Sequence, residues 1–287
     1  MPHHPQPPVA LSIAGSDPSG GAGIQADLKT FSALGVYGAA ALAALTAQDT
    51  RGVSAVRDLP PDFVAEQVER VLDDLDVRAV KVGMLSRAAV VEAVAELLAQ
   101  RRARNVVVDP VMVSKSGAAL LLPDAVEALC EQLVPLALVL TPNLPEAAVL
   151  LGVQLGEVER DPAQACRQLL RLGSRVVVLK GGHAGGERSD DLYFDGGEIV
   201  RLPAHRVETR NTHGTGCTFS AAIAALLARG EEPLEACRAA KRYVSAAIDA
   251  ASAWRLGHGH GPVHHFHALW PLRGGASPSR SAPADGG

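Results

Sequence analysis

The chain has 287 residues, of which 47% are apolar, 20% are charged and only 3% are aromatic, and its formal net charge is −4. This length allows one large α/β domain or two small ones, and a modest negative charge without a long basic run argues against nucleic acid or an anionic membrane as the main partner. No apolar run is long enough to span a bilayer, and the first eight residues lack the charged and apolar regions of a signal peptide. We therefore predict a cytoplasmic protein that binds neither nucleic acid nor membrane.

Short apolar runs, typical of buried parallel strands, alternate with helix-like segments along the chain. The predicted strands are residues 9–14, 53–59, 79–82, 106–108, 136–140 and 176–179. The predicted helices are residues 24–34, 62–75, 87–102, 123–134, 161–172, 215–228 and 233–252. Asp161 and Pro162 suit the N-cap and the first position of one helix. This alternation predicts an α/β fold with a mainly parallel central sheet.

Residues 39–47 leave two possibilities open. They are rich in alanine and leucine, which favours a helix, but the glycines before them and the Asp-Thr pair after them also permit a buried strand. The two ends differ from the body in composition, because residues 1–8 are rich in proline and histidine and residues 273–287 contain little apolar content. Neither end can bury enough surface to offset the entropy of ordering it. We predict one domain at residues 9–272 between two flexible tails.

The segment HGTGCT at residues 213–218 precedes an apolar helix-like run. Glycines at a helix start let backbone N–H groups converge on one point, and the helix dipole then favours an anion such as a transferring phosphoryl group. Cys217 lies in this first turn, so we expect its pKa below the usual value of about 8.5. A glycine turn that only opens a core helix, with Cys217 as a packing residue, explains the same residues equally well. The other three cysteines lie in helix-like stretches and are predicted core residues.

A second glycine-rich loop, GSDPSGGAG at residues 15–23, lies between a predicted strand and a predicted helix. Such loops allow the backbone to approach a ligand closely. The spacing is neither G-x-G-x-x-G nor a Walker A loop, so a nucleotide would have to be held in another way. Asp27 and Lys29, on the following helix, are explained by default as a solvated ion pair.

Charged residues follow three of the predicted strands. Asp109 follows residues 106–108, Glu146 lies in TPNLPE after residues 136–140, and Lys180 follows residues 176–179. Ligands of open α/β sheets bind at the carboxyl ends of the strands, where two carboxylates could position Mg²⁺ and a lysine could contact phosphate. Turn or helix-start chemistry explains each residue alone, but the acid pair together with the glycine turn favours a ligand site.

The histidine-rich segment at residues 258–267 invites a metal interpretation. It has no cysteine or carboxylate partner at a usual ligand spacing. We therefore interpret it as an edge segment that closes the fold, rather than as a structural zinc site.

Together, these motifs resemble the ribokinase-like superfamily, and within it the hydroxymethylpyrimidine/phosphomethylpyrimidine kinases of thiamin biosynthesis. In chain order the matching motifs are GSDPSGGAGIQADLKTFSALGVYG, ALTAQDT, KVGM, DPVMVSKSG, TPNLPEAA, LKGGH, NTHGTGCTFSAA and GPVHHFH. The resemblance covers about residues 9–270. It implies one domain with helices on both faces of a mainly parallel sheet, a strand at residues 39–47, and commonly a homodimer. The implied activity is ATP-dependent phosphorylation of 4-amino-5-hydroxymethyl-2-methylpyrimidine and then of its monophosphate to the diphosphate.

The same resemblance implies a role for each of twelve residues. Gly15, Asp27, Gln48 and Met84 would form the pyrimidine pocket, and Asp109 and Glu146 would hold Mg²⁺. Lys180, Thr212 and Asn143 would contact ATP, and the backbone around Gly214 and Gly216 would form an anion hole. Cys217 would accept the proton, at the position where most of the superfamily has an aspartate. Three alternatives stay open: a pyridoxal kinase on the same fold, a non-catalytic pyrimidine-binding regulator, and a sugar kinase. The thiol disfavours the sugar kinase, and a regulator predicts loss of the anion hole, the acid pair or the base, all of which are present.

Overall fold

The computed structural model describes residues 6–113, 121–182 and 187–270. Most of the two predicted tails, His183 of the LKGGH motif and residues 114–120 of the DPVMVSKSG region lie outside these ranges. None of the helices within the described ranges is long and apolar enough to cross a membrane.

The strands in the described residues form two sheets. They are β1 (Val9–Ala14), β2 (Tyr37–Leu42), β3 (Ala44–Gln48), β4 (Val53–Asp58), β5 (Val77–Val82), β6 (Val106–Val108), β7 (Val139–Leu140), β8 (Val176–Leu179), β9 (Asp191–Phe194) and β10 (Val200–Leu202). The main sheet has the order β10-β9-β8-β7-β6-β5-β1-β2, and β3 pairs with β4 in a small second sheet. The six neighbouring strands from β8 to β2 pair in parallel, whereas β9 is antiparallel to both of its neighbours. The predicted mainly parallel α/β fold is confirmed.

Helices cover both faces of the main sheet. They are α1 (Gly23–Ala33), α2 (Pro61–Asp74), α3 (Ala88–Gln100), α4 (Pro123–Ala128), α5 (Leu144–Leu151), α6 (Leu155–Arg160), α7 (Pro162–Leu170), α8 (Thr215–Ala228) and α9 (Pro233–Ala251). Asp161 caps α7 as predicted, because its carboxylate accepts a hydrogen bond from the backbone N–H of Gln164.

Two hydrophobic cores lie on opposite faces of the sheet, and the pleat decides which residue enters which core. On β6, Val107 packs with apolar residues of α1, α8 and α9, whereas Val106 and Val108 pack with apolar residues of α2, α3, α4, α5 and α7. Residues 218–228 of α8 are all buried, as expected of a helix that is apolar on every side.

Several predicted elements differ from the structure. Residues 53–59 were predicted as a buried parallel strand, but β4 pairs antiparallel with β3 outside the main sheet and is half exposed. The strand predicted at residues 136–140 is reduced to two residues, because a turn of 3₁₀ helix occupies Val134–Leu136. The helix predicted at residues 123–134 ends its α-helical part at Ala128 and continues as one π-helical turn, Leu129–Leu133. The helices α5 and α6 and the strands β9 and β10 were not predicted.

Residues 39–47 form strands, as the resemblance implied and against their helical propensity. The segment continues across two strands, because β2 joins the edge of the main sheet and β3 turns away from it at Ala43. The backbone N–H of Ala43 donates to Ala14 and its carbonyl accepts from Leu59, so this residue links both sheets. Hydrogen bonds along the sheet therefore override the local preference for a helix.

The order of the strands places a crevice between β1 and β5. From β1 the chain runs to β2 at one edge and then returns to the other side of β1 at β5, so the connections leave the carboxyl ends of these two strands in opposite directions. Such a switch point is where open α/β sheets bind their ligands.

Candidate active site

A cavity of about 650 Å³ lies at the carboxyl ends of the strands of the main sheet. It collects residues from loops that are far apart in the chain. Eleven of the twelve predicted site residues line it: Gly15, Gln48, Met84, Asp109, Asn143, Glu146, Lys180, Thr212, Gly214, Gly216 and Cys217. Asp27 does not line it.

The glycine turn before Cys217 opens α8 at the floor of this cavity. Gly214 is the N-cap residue and has a φ of 76°, a left-handed conformation that favours glycine. A Cβ atom on Gly214 would lie only 1.7 Å from the carbonyl oxygen of Gly21, so the turn packs directly against the glycine-rich loop at residues 15–23. No side chain of the described residues caps the first amides of α8. This arrangement suits an anion.

Lys180 and two carboxylates lie beside the same turn. The Nζ atom of Lys180 is 2.8 Å from Asp109 Oδ1 and 3.7 Å from Glu146 Oε2. A Cβ atom on Gly216 would be 3.4 Å from Lys180 Nζ and 3.6 Å from Asp109 Oδ2, so glycine leaves this space open. Thr141 and Ser220 donate to Asp109 at 3.2 Å each. The acid pair and the lysine are thus brought together as the sequence predicted.

The two carboxylates have different pKa values. Burial alone would raise the pKa of Asp109, but the positive charges of Lys180 and Lys81 hold it below its ordinary value. Burial raises the pKa of Glu146 to about 7, and the negative charge of Asp109 adds to this while Lys180 opposes it. Asp109 is therefore ionised at neutral pH, whereas Glu146 changes its charge near pH 7.

Glu146 and Asn143 also have a structural role. Asn143 is the N-cap of α5: its side chain accepts from the backbone N–H of Glu146, and Glu146 Oε2 accepts from the backbone N–H of Asn143, both at 2.8 Å. This capping box is the helix-start chemistry that explained Glu146 without a ligand. It also fixes the orientation of the carboxylate, because the helix start holds one oxygen in place.

The donor set fits Mg²⁺ as far as protein ligands are concerned. Carboxylate oxygens are what this ion prefers, and it is usually held by one or two carboxylates together with water and substrate phosphates. Across residues 6–113, 121–182 and 187–270 no group of three or more His, Cys, Asp or Glu side chains is arranged to hold a metal ion. Asp109 and Glu146 would therefore have to share the ion with phosphate oxygens.

Gly15, Gln48 and Met84 line another part of the cavity wall. A Cβ atom on Gly15 would lie 2.5 Å from Met84 Cε, so the methionine side chain lies directly over the glycine. Gln48, at the end of β3, lies near Thr46 and His213. A polar amide beside a soft apolar side chain suits a flat heteroaromatic ring.

Asp27 does not contact the cavity, and its prediction as a pyrimidine contact is not met. Its side chain is fully buried and accepts hydrogen bonds from Ser12 at 2.6 Å and from Lys81 at 2.8 Å. The default prediction of a solvated Asp27–Lys29 pair is also wrong, because Lys29 donates to the carbonyl of Gly20 instead. Asp27 lies behind the cavity wall, and Lys81 reaches that wall in its place.

The expected low pKa of Cys217 is contradicted by its surroundings. Burial raises the pKa of the thiol to about 11, although the positive charge of Lys81 and a hydrogen bond from the backbone N–H of Gly23 act in the opposite direction. Asp27 and Asp109 add negative charge nearby and raise it further. Cys217 is therefore a thiol and not a thiolate at neutral pH. The helix start alone does not determine its ionisation, because burial and the nearby acids act against the thiolate.

Sequence reasoning missed several polar residues of the cavity wall, among them Lys81, Asp17 and His213. Lys81 lies in KVGM, Asp17 in the loop at residues 15–23, and His213 directly before Gly214, and all three line the cavity. Their motifs were recognised, but the individual side chains gave no signal. Only the fold shows that Asp17 and His213 are in contact, with His213 Nε2 2.7 Å from Asp17 Oδ2.

A further buried ion pair, Lys241–Asp191, supports the side of the cavity near Lys180. Lys241 Nζ donates to Asp191 Oδ2 at 2.7 Å and to the carbonyl of Ser189 at 2.6 Å. The other oxygen of Asp191 accepts from the backbone N–H of Gly181 at 2.9 Å. This pair fixes the chain directly after Lys180.

The histidine-rich segment near the C-terminus closes one side of the site. The backbone N–H groups of His258 and Gly259 donate to Thr50 Oγ1, and that of His260 donates to the Thr50 carbonyl. The carbonyl of Gly261 accepts from the backbone N–H of His213 at 3.0 Å. The segment therefore joins the β3–β4 hairpin to the turn before α8, as expected of an edge segment.

Comparison with known proteins identifies the family of this chain. The family described as Phosphomethylpyrimidine kinase matches residues 17–264. A hydroxymethylpyrimidine/phosphomethylpyrimidine kinase of Rhizobium meliloti is 58% identical over 91% of this chain and 98% of its own length. The thiamine biosynthesis bifunctional protein ThiED of Geobacter sulfurreducens is 51% identical over 92% of this chain and 53% of its own length. A structure of the pyridoxal kinase from Staphylococcus aureus in complex with AMP-PCP and pyridoxal has a TM-score of 0.84 and 38% identity, and the match covers 92% of this chain and 96% of that one. The chain belongs to the phosphomethylpyrimidine kinase family.

Proposed function

We propose that this protein transfers the γ-phosphoryl group of ATP to the hydroxyl of 4-amino-5-hydroxymethyl-2-methylpyrimidine, and then to the resulting monophosphate, in thiamin biosynthesis. The observation that carries the proposal is the cavity itself. Its wall combines the start of α8 and the part-buried Lys180, which suit a phosphoryl group, with Gly15, Gln48 and Met84, which suit a flat polar ring. The relative at 58% identity carries the name of this activity, and the bifunctional relative carries the name of the pathway.

The phosphoryl group would pass between these two parts of the cavity wall. The first backbone N–H groups of α8, around Gly214 and Gly216, and the Lys180 ammonium would neutralise charge on its oxygens, which is the main requirement of a loose transition state. Thr212 and Asn143 line the same cavity and are proposed to contact ATP. Asp109 and Glu146 would hold Mg²⁺, which when bound would neutralise part of the phosphate charge. The substrate hydroxyl oxygen would bond to the γ-phosphorus from the side of Gln48 while the bond from this phosphorus to the β–γ bridging oxygen breaks, so that ADP leaves.

Cys217 lies at the start of α8, where the substrate hydroxyl and the phosphoryl group would meet. We propose that it takes up the hydroxyl proton late in the transfer, since a loose transition state needs little assistance from a base. With a thiol pKa of about 11, only a small fraction is thiolate at neutral pH. The proposed role therefore predicts a rate that rises steadily with pH over the neutral range. A rate that is independent of pH there would contradict it.

A second candidate function is the phosphorylation of pyridoxal. The structure that favours it is the kinase of Staphylococcus aureus, which holds pyridoxal on the same fold. Both rings are flat and carry a hydroxymethyl group, so the pocket of Gly15, Gln48 and Met84 is compatible with either. The higher identity to the pyrimidine kinase ranks pyridoxal second.

A substrate comparison with the purified protein tests the proposal. ATP consumption would be measured with hydroxymethylpyrimidine, its monophosphate and pyridoxal in parallel, and product masses would be determined. We expect mass gains of one phosphate on the first two substrates, with a much lower kcat/KM for pyridoxal. The Lys180→Met variant is the control for contaminating kinases. Turnover of pyridoxal alone would refute the proposal.

Two further expectations stay proposals. We infer a homodimer from the resemblance to this family, and light scattering of the purified protein during gel filtration would test it, with a mass near that of one chain as the contrary result. A cytoplasmic location is also proposed from the family, and fractionation of cells that express the tagged protein would test it.

A further inference from the structure

The first N–H groups of α8 have to stay free if they are to meet a phosphoryl group, so this helix cannot use an ordinary side-chain cap. In the described residues no side chain caps it, and helix ends without a cap tend to fray. Gly214 packs against Gly21 on one side of the turn. Any further support has to come from behind the N–H groups, where it does not compete with the ligand.

Thr218 is the residue at which the helix start joins the protein interior. Residues 214–217 are partly exposed, whereas Thr218 is fully buried and begins a buried run that continues to Ala228. Its backbone N–H donates to the carbonyl of Gly214 at 2.8 Å and so closes the first turn. Side chains of a helix lean towards its N-terminus, so the Thr218 side chain lies against this same turn.

His265, in the histidine-rich segment, holds the Thr218 hydroxyl. Its Nε2 atom lies 3.1 Å from Thr218 Oγ1, and both side chains are buried. Burial lowers the pKa of His265 to about 3, and the positive charge of Lys29 adds to this, so the imidazole is neutral at pH 7. A neutral imidazole pairs with a hydroxyl through a single proton. The contact therefore fixes an orientation without adding a charge beside the phosphoryl site.

The segment that carries His265 is anchored to α9. The hydroxyl of Tyr243 donates to the His265 carbonyl at 2.6 Å, and the backbone N–H of His264 donates to the carbonyl of Ala247 at 2.9 Å. Earlier in the same segment, a backbone carbonyl accepts from the residue directly before Gly214. The segment therefore contacts the glycine turn on both sides along the chain and is itself held by a long helix.

We propose that His265 is a positioning residue for phosphoryl transfer, which acts through the Thr218 hydroxyl to hold the free N–H groups of the first α8 turn at the transferring group. This inference rests on the proposed function, since it concerns the same helix start. A hydrogen bond that serves only the fold affects stability alone. One that orients these N–H groups also affects the transition state, in which they neutralise charge on the transferring oxygens.

Two substitutions of Thr218 distinguish these roles. Thr218→Val keeps the branched shape and removes the hydroxyl, whereas Thr218→Ser keeps the hydroxyl. In Thr218→Val we expect kcat to fall at least about tenfold, since loss of one such N–H donor costs about 10²–10³ and misorientation costs less. The KM for ATP should change less than about threefold, because an interaction made mainly in the transition state appears in kcat. Thr218→Ser should keep kcat within about threefold of the wild type.

A double-mutant cycle tests whether His265 acts through Thr218. His265→Leu should lower kcat about as much as Thr218→Val, and the double variant should lie within about threefold of the slower single variant. Losses that multiply would mean that the two residues act independently, and this would overturn the proposal. His258→Leu is the control in the same segment, because the side chain of His258 is exposed.

Binding of a transition-state mimic gives a readout that does not depend on turnover. ADP with Mg²⁺ and aluminium fluoride, in the presence of the acceptor, imitates the transferring group, and calorimetry would measure its affinity. We expect Thr218→Val to bind ADP alone within about threefold of the wild type and to bind the mimic at least about tenfold more weakly. Equal affinity of the two proteins for the mimic would contradict the positioning role.

The outcomes separate this inference from the proposed function. Thermal melting would establish that each variant is folded. A folded Thr218→Val variant with wild-type kcat, or a Thr218→Ser variant as slow as Thr218→Val, would overturn the positioning role, and both results count even if His265→Leu does not fold. If the wild type phosphorylates pyridoxal alone, the proposed function fails, and the same comparison made with pyridoxal still tests His265.

Discussion

The buried pair of Lys81 and Asp27 offers the sharpest test of how the site is supported. Both side chains are fully buried, and Lys81 Nζ lies 2.8 Å from Asp27 Oδ2. Asp27 Oδ1 has no hydrogen-bond partner in the described part of the chain. The Lys81→Met variant replaces the ammonium-bearing chain with an apolar, unbranched chain one atom shorter and leaves Asp27 with only the hydroxyl of Ser12.

The expected loss of stability follows from leaving one buried charge without its partner. Breaking a buried pair in this way costs about 3–5 kcal/mol, and for a chain of this length about 2 °C in Tm corresponds to 1 kcal/mol. We therefore expect Tm to fall by roughly 6–10 °C at pH 7.5. Asp27→Asn combined with Lys81→Met removes both charges, so this double variant should be more stable than Lys81→Met alone.

The pH dependence provides a second check. Burial raises the pKa of Asp27 above its ordinary value, and Lys81 opposes this, so removing Lys81 raises it further. A carboxyl group whose pKa is higher in the folded state favours folding at low pH, and this contribution is lost as pH rises through the folded pKa. The destabilisation by Lys81→Met should therefore be largest at pH 7–8 and shrink towards pH 5.

Denaturant unfolding of the wild type and both variants at pH 5 and pH 7.5 measures these differences. A loss below about 1 kcal/mol for Lys81→Met at pH 7.5, well under the cost of an unpaired buried charge, would refute the reasoning. Lys81 also opposes the high pKa of Cys217, so alkylation of this thiol by iodoacetamide should require a higher pH in the variant. An unchanged pH dependence would mean that Lys81 does not act on the thiol.

Three further predictions concern the catalytic residues of the cavity. Cys217→Ala should lower kcat by about 10²–10⁴ with little change in the KM for ATP in a coupled assay; wild-type turnover would exclude the proton-acceptor role. Gly214→Ala should abolish most activity and lower Tm, because its Cβ atom would collide with Gly21. Gly230→Ala is the control, since Gly230 also has a positive φ but no atom lies within 4 Å of its Cβ position. Equal losses of Tm and activity in both variants would refute the packing argument. Since the pKa of Glu146 is about 7, the Mg²⁺ concentration for half-maximal rate should rise as pH falls from 8 to 6. Glu146→Gln should lack this pH dependence. A wild type whose Mg²⁺ requirement does not change with pH would contradict the metal role of Glu146.

The fold was most predictable from the sequence in several elements whose residues are almost all buried. The strands β1, β6 and β8 and the helix α8 have the bounds that were predicted, because continuous apolar runs have few other places in a folded chain. The short strands β9 and β10 were missed, and β4 was predicted as a buried parallel strand although it pairs antiparallel with β3 outside the main sheet. Their positions depend on pairing with distant segments, which leaves little local signal.

The site shows the same division. The sequence by itself determined that glycines precede Cys217, that carboxylates and a lysine end neighbouring strands, and that the motifs belong to one family. It could not determine the ionisation of these groups, because a pKa depends on burial and on charges from distant parts of the chain. Only the tertiary structure placed Asp27 behind the wall with Lys81, raised the pKa of Cys217, and brought Asp17 and His213 together beside Gln48. Local sequence indicates which residues form the site. Their pKa values and hydrogen-bond partners depend on the packing of residues that lie far apart in the chain.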